Sequence, residues 1–217
     1  MAQSRSDITK KALIDTAFQL FAVKGFAATS TREIATTAKT NIASITYHFG
    51  SKAGLRMACA QTIVDRFSKI RTNPEALDVP DIIKSAETSF EAMILRQAYV
   101  FLQLEEAEAM ISFLFREAHE KGEVFDHIYE NFFRTMFEFL LSHWADSIGI
   151  SAQEAQSEAN RLLVFSMIGQ VAYFRVGQPV VAKHMKWQGY SETEALAVLT
   201  ILQSNIRTII NAHRNAS

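Results

Sequence analysis

The stretch STREIATTAKTNIASITYHFGSK, residues 30–52, decides how this chain is read. Ser30 followed by Glu33 has the form of a capping box, the hydroxyl accepting the Glu33 N–H and the carboxylate reaching back to Ser30. It opens a short helix through Ala38, a turn over Lys39 and Thr40, and a second short helix from about Asn41 to Phe49, ended by Gly50. At helical spacing, Ile34, Ala35, Ala38 and Ile45 share an inner face, leaving Asn41, Ala43, Ser44 and Thr46 outside. Two short helices joined by so tight a turn have helix-turn-helix geometry.

Upstream, a helix is expected from about Asp7 to Lys24, with Ser6 as N-cap and Ile14, Ala17, Phe18 and Phe21 on one buried face; Gly25 ends it. Downstream, Ser51 caps a helix running to around Arg71. Asn73-Pro74 and Val79-Pro80 mark the first boundary, because proline cannot continue a helix. Beyond it, helical spacing covers residues 81–103, 105–120, 123–146 and about 151–176. Gly177-Gln178-Pro179 stops the last of these, and Ser191-Glu192-Thr193-Glu194 opens a final helix. The expected fold is all-α: a three-helix helix-turn-helix domain at residues 1–55, a connecting helix at about 52–71, and a helical ligand-binding and dimerisation domain at 72–217.

Composition narrows the function classes. Residues 1–58 carry eight basic against three acidic side chains, a net of +5, whereas the remaining 14 basic and 20 acidic side chains give −6. A basic head on an acidic body suits a phosphate-binding module attached to a part that does not itself hold DNA. The first 20 residues hold no apolar core of the signal-peptide kind. The charge-free apolar run from Leu162 to Phe174 is 13 residues, shorter than the roughly 18 to 20 of a membrane span. A single cysteine, Cys59, excludes an intrachain disulfide. A cytoplasmic protein without a membrane partner is expected. No phosphate loop, zinc-protease motif, Cys-x-x-Cys or nucleophile elbow occurs, so neither an enzyme, a metal site nor a cofactor is expected.

The chain resembles the TetR family of transcription regulators on Phe21, Gly25, Phe26, Thr29-Ser30-Thr31, Ile34-Ala35, Ala38, Ile45, Tyr47-His48-Phe49, Lys52 and Leu55. The block from Asn41 to Lys52 is similar to that of the CecR-like branch, as are the body's length and its Phe115-Arg116-Glu117. The resemblance implies a homodimeric repressor whose second short helix enters the major groove of a palindromic operator, released by a small-molecule effector. It implies base contacts at Asn41, Ala43, Ser44 and Thr46 and phosphate contacts at Tyr47, His48, Lys52, Ser30 and Thr31; Arg32 is a further basic candidate. The family's usual turn glycine is replaced by Lys39, and a left-handed conformation there costs roughly 1 kcal/mol. The resemblance further implies that the fourth helix couples head and body.

Dimer contacts are expected along Leu199, Gln203, Ile206 and Ile210 of the last helix, and along the small-residue line Ser166, Gly169 and Ala172. Residues 90–139 hold 9 of the 16 phenylalanines, either as core or as the lining of an apolar ligand pocket. Arg116, His127, Tyr173 and Arg175, polar groups beside apolar stretches, are the candidates to orient a ligand. Two rival functions stay open: a DNA-binding relative whose body recruits a protein, and a small-molecule-binding protein that has lost DNA.

Overall fold

The computed structural model describes residues 4–72, 77–103 and 105–214, and every element among them is helical. The boundary expected at Asn73-Pro74 lies outside the described residues. The chain divides into two compact units, residues 1–74 with 109–133, and residues 75–108 with 134–217. The body expected to start at residue 72 therefore yields Ala109–Phe133 to the first unit. The physical reason is packing: Phe113 is fully buried, its ring edge-on to Phe18 with centroids 5.4 Å apart.

The first unit contains α1 (Arg5–Lys24), α2 (Thr31–Thr37), α3 (Ala43–Phe49), α4 (Lys52–Thr72), α8 (Glu123–Ile128) and a π-helical turn (Tyr129–Phe133). It also takes the later part of α7 (Glu105–Glu120). Ser4, not Ser6, caps α1: its Oγ accepts the Asp7 N–H at 3.1 Å and the Asp7 carboxylate accepts the Ser4 N–H at 3.3 Å. Only half of the expected box at Ser30 forms. Its Oγ accepts the Glu33 N–H at 3.1 Å, but the Glu33 carboxylate pairs with Lys24 instead.

Helices of seven residues do not hold themselves together in water, so α2 and α3 depend on packing. Ile34, Ala35 and Ile45 supply it, buried with Leu13, Ala17, Phe18 and Phe21 of α1 and Leu55 and Ile63 of α4. Gly54 sets how closely α4 follows α3, since a Cβ there would sit 2.0 Å from the Phe49 carbonyl oxygen. Further along, Phe67 of α4 stacks on Phe132 of the π-helical turn at 4.6 Å.

The second unit contains α5 (Asp81–Lys84), α6 (Ser89–Gln103), α9 (Arg134–Ile148), α10 (Ala152–Ala155), α11 (Glu158–Val176), α12 (Gln178–Met185) and α13 (Glu192–Arg214). Three stretches expected as single helices are divided, two of them by local caps. Thr88 Oγ1 accepts the Glu91 N–H at 3.1 Å and restarts the chain as α6. Ser157 Oγ accepts the Asn160 N–H at 3.4 Å and separates α10 from α11, while the π-helical turn interrupts 123–146.

α6 is the hub, packed against α9, α11 and α13. Glu91, fully buried on α6, accepts from Gln203 Nε2 at 2.8 Å and from Arg207 Nε at 3.0 Å. This arrangement corrects the expected dimer stripe. Leu199, Ile206 and Ile210 are buried inside the unit, and Gln203 is hydrogen-bonded there to Glu91 and to the Ile82 carbonyl oxygen. α13 is long and apolar enough to cross a membrane by length and composition; here its buried stripe closes on α6.

Candidate nucleic-acid interface

The expected recognition surface assembles on α2 and α3. The one buried residue of α3 is Ile45, and this anchor turns Ala43, Thr46 and Tyr47 to the outside, with Ser44 and His48 half-buried. Tyr47 is 82 % exposed, its ring edge-on to His48 at 4.9 Å. Ser30 and Arg32 are exposed at the start of α2, and Thr31 is half-buried beside them. Thr31, Ala43 and Thr46 join Ile42, Ile45, Ser51 and Lys52 around an open concavity of about 300 Å³. Ile42, 45 % exposed, and Ser51 were not among the expected contacts.

The turn has the shape anticipated from its missing glycine. Lys39 adopts φ 54°, the left-handed region, and the Thr40 N–H donates to the Ala35 carbonyl oxygen at 2.9 Å. The Thr40 hydroxyl is buried without a partner among the described residues.

Two expected contacts have other work in the structure. Asn41 Oδ1 accepts the Ala43 N–H at 2.8 Å and so starts α3, as asparagine commonly does at such a position. Lys52 Nζ donates to the carbonyl oxygens of Phe26 and Thr29, both at 2.8 Å, and lies 4.2 Å from the Phe26 ring centroid. With two of its three N–H groups so engaged, Lys52 braces the corner and keeps one N–H for a phosphate. Glu33, held below the usual carboxylate range by its hydrogen bond from Lys24, cancels one of the head's positive charges.

The four ligand candidates fall two in each unit. Arg116 donates to the carbonyl oxygens of Ala22 and Val23, and His127 pairs with Gln61 Oε1 at 2.9 Å, both within the first unit. Tyr173 and Arg175 belong to the second unit. Tyr173 is exposed, whereas Arg175 is largely buried and paired with Glu108 at 2.9 Å. The small-residue line does keep an open side: Ser166 and Gly169 are exposed on α11, and a Cβ on Gly169 would meet nothing within 4 Å. Ala172 is half-buried.

Sequence reasoning missed a polar cluster behind the interface. Glu117, 3 % exposed, receives Arg56 Nε and Nη2 at 2.7 Å each, and Arg56 Nη2 also reaches Glu120 at 2.5 Å. Burial pushes the Glu117 carboxyl up while Arg56 pulls it down. No local pattern announces a pair 61 residues apart.

A buried-anchor helix with a small polar outer face, set behind a tight left-handed turn, defines a helix-turn-helix protein of the major-groove-reading kind. The model of the family described as bacterial regulatory proteins, tetR family, matches residues 13–59. The model described as HTH-type transcriptional dual regulator CecR, C-terminal domain, matches residues 86–213. The chain belongs to the TetR family of transcription regulators, in the branch that carries the CecR C-terminal domain. It is 27 % identical over 212 residues to the HTH-type transcriptional dual regulator CecR of Shigella flexneri, covering 95 % of this chain and 93 % of that protein. Among solved structures, AibR in complex with isovaleryl coenzyme A and operator DNA aligns with TM-score 0.60 at 18 % identity, over 89 % of this chain and 97 % of that one. A TetR-like transcriptional regulator from Rhodococcus sp. RHA1 aligns with TM-score 0.60 at 17 % identity, over 94 % and 95 % of the two chains. These two likenesses show the fold.

Proposed function

We propose that the protein is a cytoplasmic, ligand-responsive repressor that binds a palindromic operator as a homodimer. The observation that carries this is the outward face of α3, where Ala43, Ser44 and Thr46 surround a single buried anchor, Ile45. Side chains this small let the helix backbone approach base edges, and the major groove, about 12 Å wide, admits one helix. Tyr47, His48, Arg32, Thr31 and Ser30 flank that face and contact phosphate. Base preference comes from the α3 positions; the flanking positions hold the register.

Self-association uses the outer side of α11, where Leu162, Phe165 and Val176 are exposed in line with Ser166, Gly169 and Tyr173. So many large apolar groups on one helical face mark a surface meant to be covered. A two-fold dimer presents two recognition helices to half-sites about 34 Å apart. The second unit takes the effector; a relative of the same fold has been seen with both isovaleryl coenzyme A and operator DNA, which supports pairing the two ligands in one chain. An effector acts only through a difference in its affinity for the DNA-bound and free states.

Enrichment of duplexes from a random pool is the direct test. The expected product is a palindrome with half-sites one helical turn apart, and Thr46→Ala shifts preference at particular base pairs while Tyr47→Phe weakens all sequences alike. Sequence-blind enrichment, or none, overturns the reading.

A further inference from the structure

We propose that Arg116, Glu117 and Arg56 are positioning residues for DNA binding: a clamp from α7 that sets the corner from which α2 and α3 are hung. The inference rests on the DNA-binding reading above. Arg116 and Glu117 lie 67 and 68 positions beyond the last residue of the recognition helix and inside the stretch matched by the C-terminal domain model, yet they pack within the first unit.

Consecutive residues of α7 grip the two sides of that corner. On one side, Arg116 Nε and Nη2 donate to the Ala22 carbonyl oxygen at 3.3 and 3.1 Å, and Nη2 also to Val23 at 3.3 Å. These are last-turn carbonyls of α1, groups that lack helical partners and favour a cation. The guanidinium lies so close to the bend that a Cβ on Gly25, at φ 83°, would be 3.0 Å from Nη1. On the other side, Glu117 takes Arg56, near the start of α4, by two parallel hydrogen bonds of 2.7 Å.

The corner itself is threaded between these grips. The Phe26 ring has the Arg56 guanidinium 4.7 Å and the Lys52 ammonium 4.2 Å from its centroid. Lys52 in turn holds the carbonyl oxygens of Phe26 and Thr29, immediately before the Ser30 cap of α2. The chain of contacts thus runs from α7 to the first residue of the helix-turn-helix without a gap.

Stability alone is a poor reason for such an arrangement. Removing a guanidinium and a carboxylate from water offsets most of what their attraction returns, and an apolar pair of equal volume commonly does as well. What a bidentate, planar pair adds is direction. Two arginines held in fixed forks define the angle between α1, α4 and the start of α2, and so the direction in which α3 faces.

The test uses the full chain and a duplex enriched from random DNA by the unsubstituted protein. Glu117→Gln keeps the volume and removes the charge; Arg116→Met keeps the apolar stem and removes the fork. Each is expected to lower affinity for that duplex about tenfold and to reduce the slope of log affinity against log salt by about one, as phosphate contacts go out of register. Arg116→Lys restores part of the affinity. Affinity is scored per active molecule by stoichiometric titration, so that a smaller folded fraction does not imitate the effect. Should Glu117→Gln fail to fold, the two Arg116 variants give the answer. Unchanged affinity and salt slope per active molecule would overturn the clamp while leaving the function intact; failure of the unsubstituted protein to enrich any duplex would overturn both.

Discussion

The outer face of α3 and the outer face of α13 were both read from spacing, and they came out differently. On α3 the contrast is between one buried isoleucine and small polar neighbours, so the only stable orientation puts Ala43, Thr46 and Tyr47 outside. On α13 apolar residues occupy most of the circumference. Ala195, Val198, Leu199, Leu202, Ile206 and Ile210 are buried within the second unit, while Leu196 and Ile201 remain exposed. Hydrophobic periodicity reports that a face wants cover, not what supplies it. Where a helix is polar on one side the pattern decides; where it is apolar on several, only the neighbours do.

Three substitutions break or sharpen that contrast. The largest effect is expected from Glu91→Ala, which removes the buried carboxylate shared by Arg207 and Gln203 inside the unit that α13 closes, leaving Arg207 to Glu87 and the Ser85 carbonyl and Gln203 to the Ile82 carbonyl. A loss of about 3 kcal/mol is expected in denaturant unfolding, as for a buried pair deprived of one partner. A loss well under 1 kcal/mol would mean that α13 is held by its apolar stripe alone. Next comes Gly54→Ala, whose Cβ collides with the Phe49 carbonyl. About 2 kcal/mol of destabilisation from overpacking is expected, read as earlier melting of the first unit by hydrogen exchange with the second unit unmoved. Equal loss of protection in both would show that the units do not unfold separately. The smallest is Lys39→Gly, which relieves a left-handed lysine at φ 54° and is expected to raise stability by roughly 0.5 to 1 kcal/mol in thermal unfolding. A fall instead would show that the Lys39 side chain contributes a contact worth more than the strain.

Much of the candidate interface was legible because its signals are local. The turn over Lys39 and Thr40, the end at Gly50 and the Ile34, Ala35 and Ile45 face all depend on residues within one or two helical turns. The misreadings are small displacements or long-range substitutions. The cap of α1 moved from Ser6 to Ser4, because Ser4 and not Ser6 has an acid at the third following position. Glu33 left its box for Lys24, and Lys52 turned to backbone carbonyls, because partners from elsewhere in the chain lay closer than solvent or the local cap. Arg116, a candidate to orient a ligand, is engaged in the same way. Arg116 had unsatisfied carbonyls at the end of α1 to bind, a demand that exists only once α7 is packed beside it.

By itself, then, the amino-acid order determined that the chain is helical, where its short crossed pair begins and ends, and which side chains of that pair turn outward. These follow from hydrogen bonds and burial over a few residues. Tertiary packing decided that Ala109–Phe133 belongs with the head, that the Leu199 to Ile210 stripe is core, and that Arg56, Arg116 and Glu117 meet across the corner. Such outcomes depend on which desolvated groups find each other across dozens of residues, and no repeat or spacing in a linear chain encodes that distance.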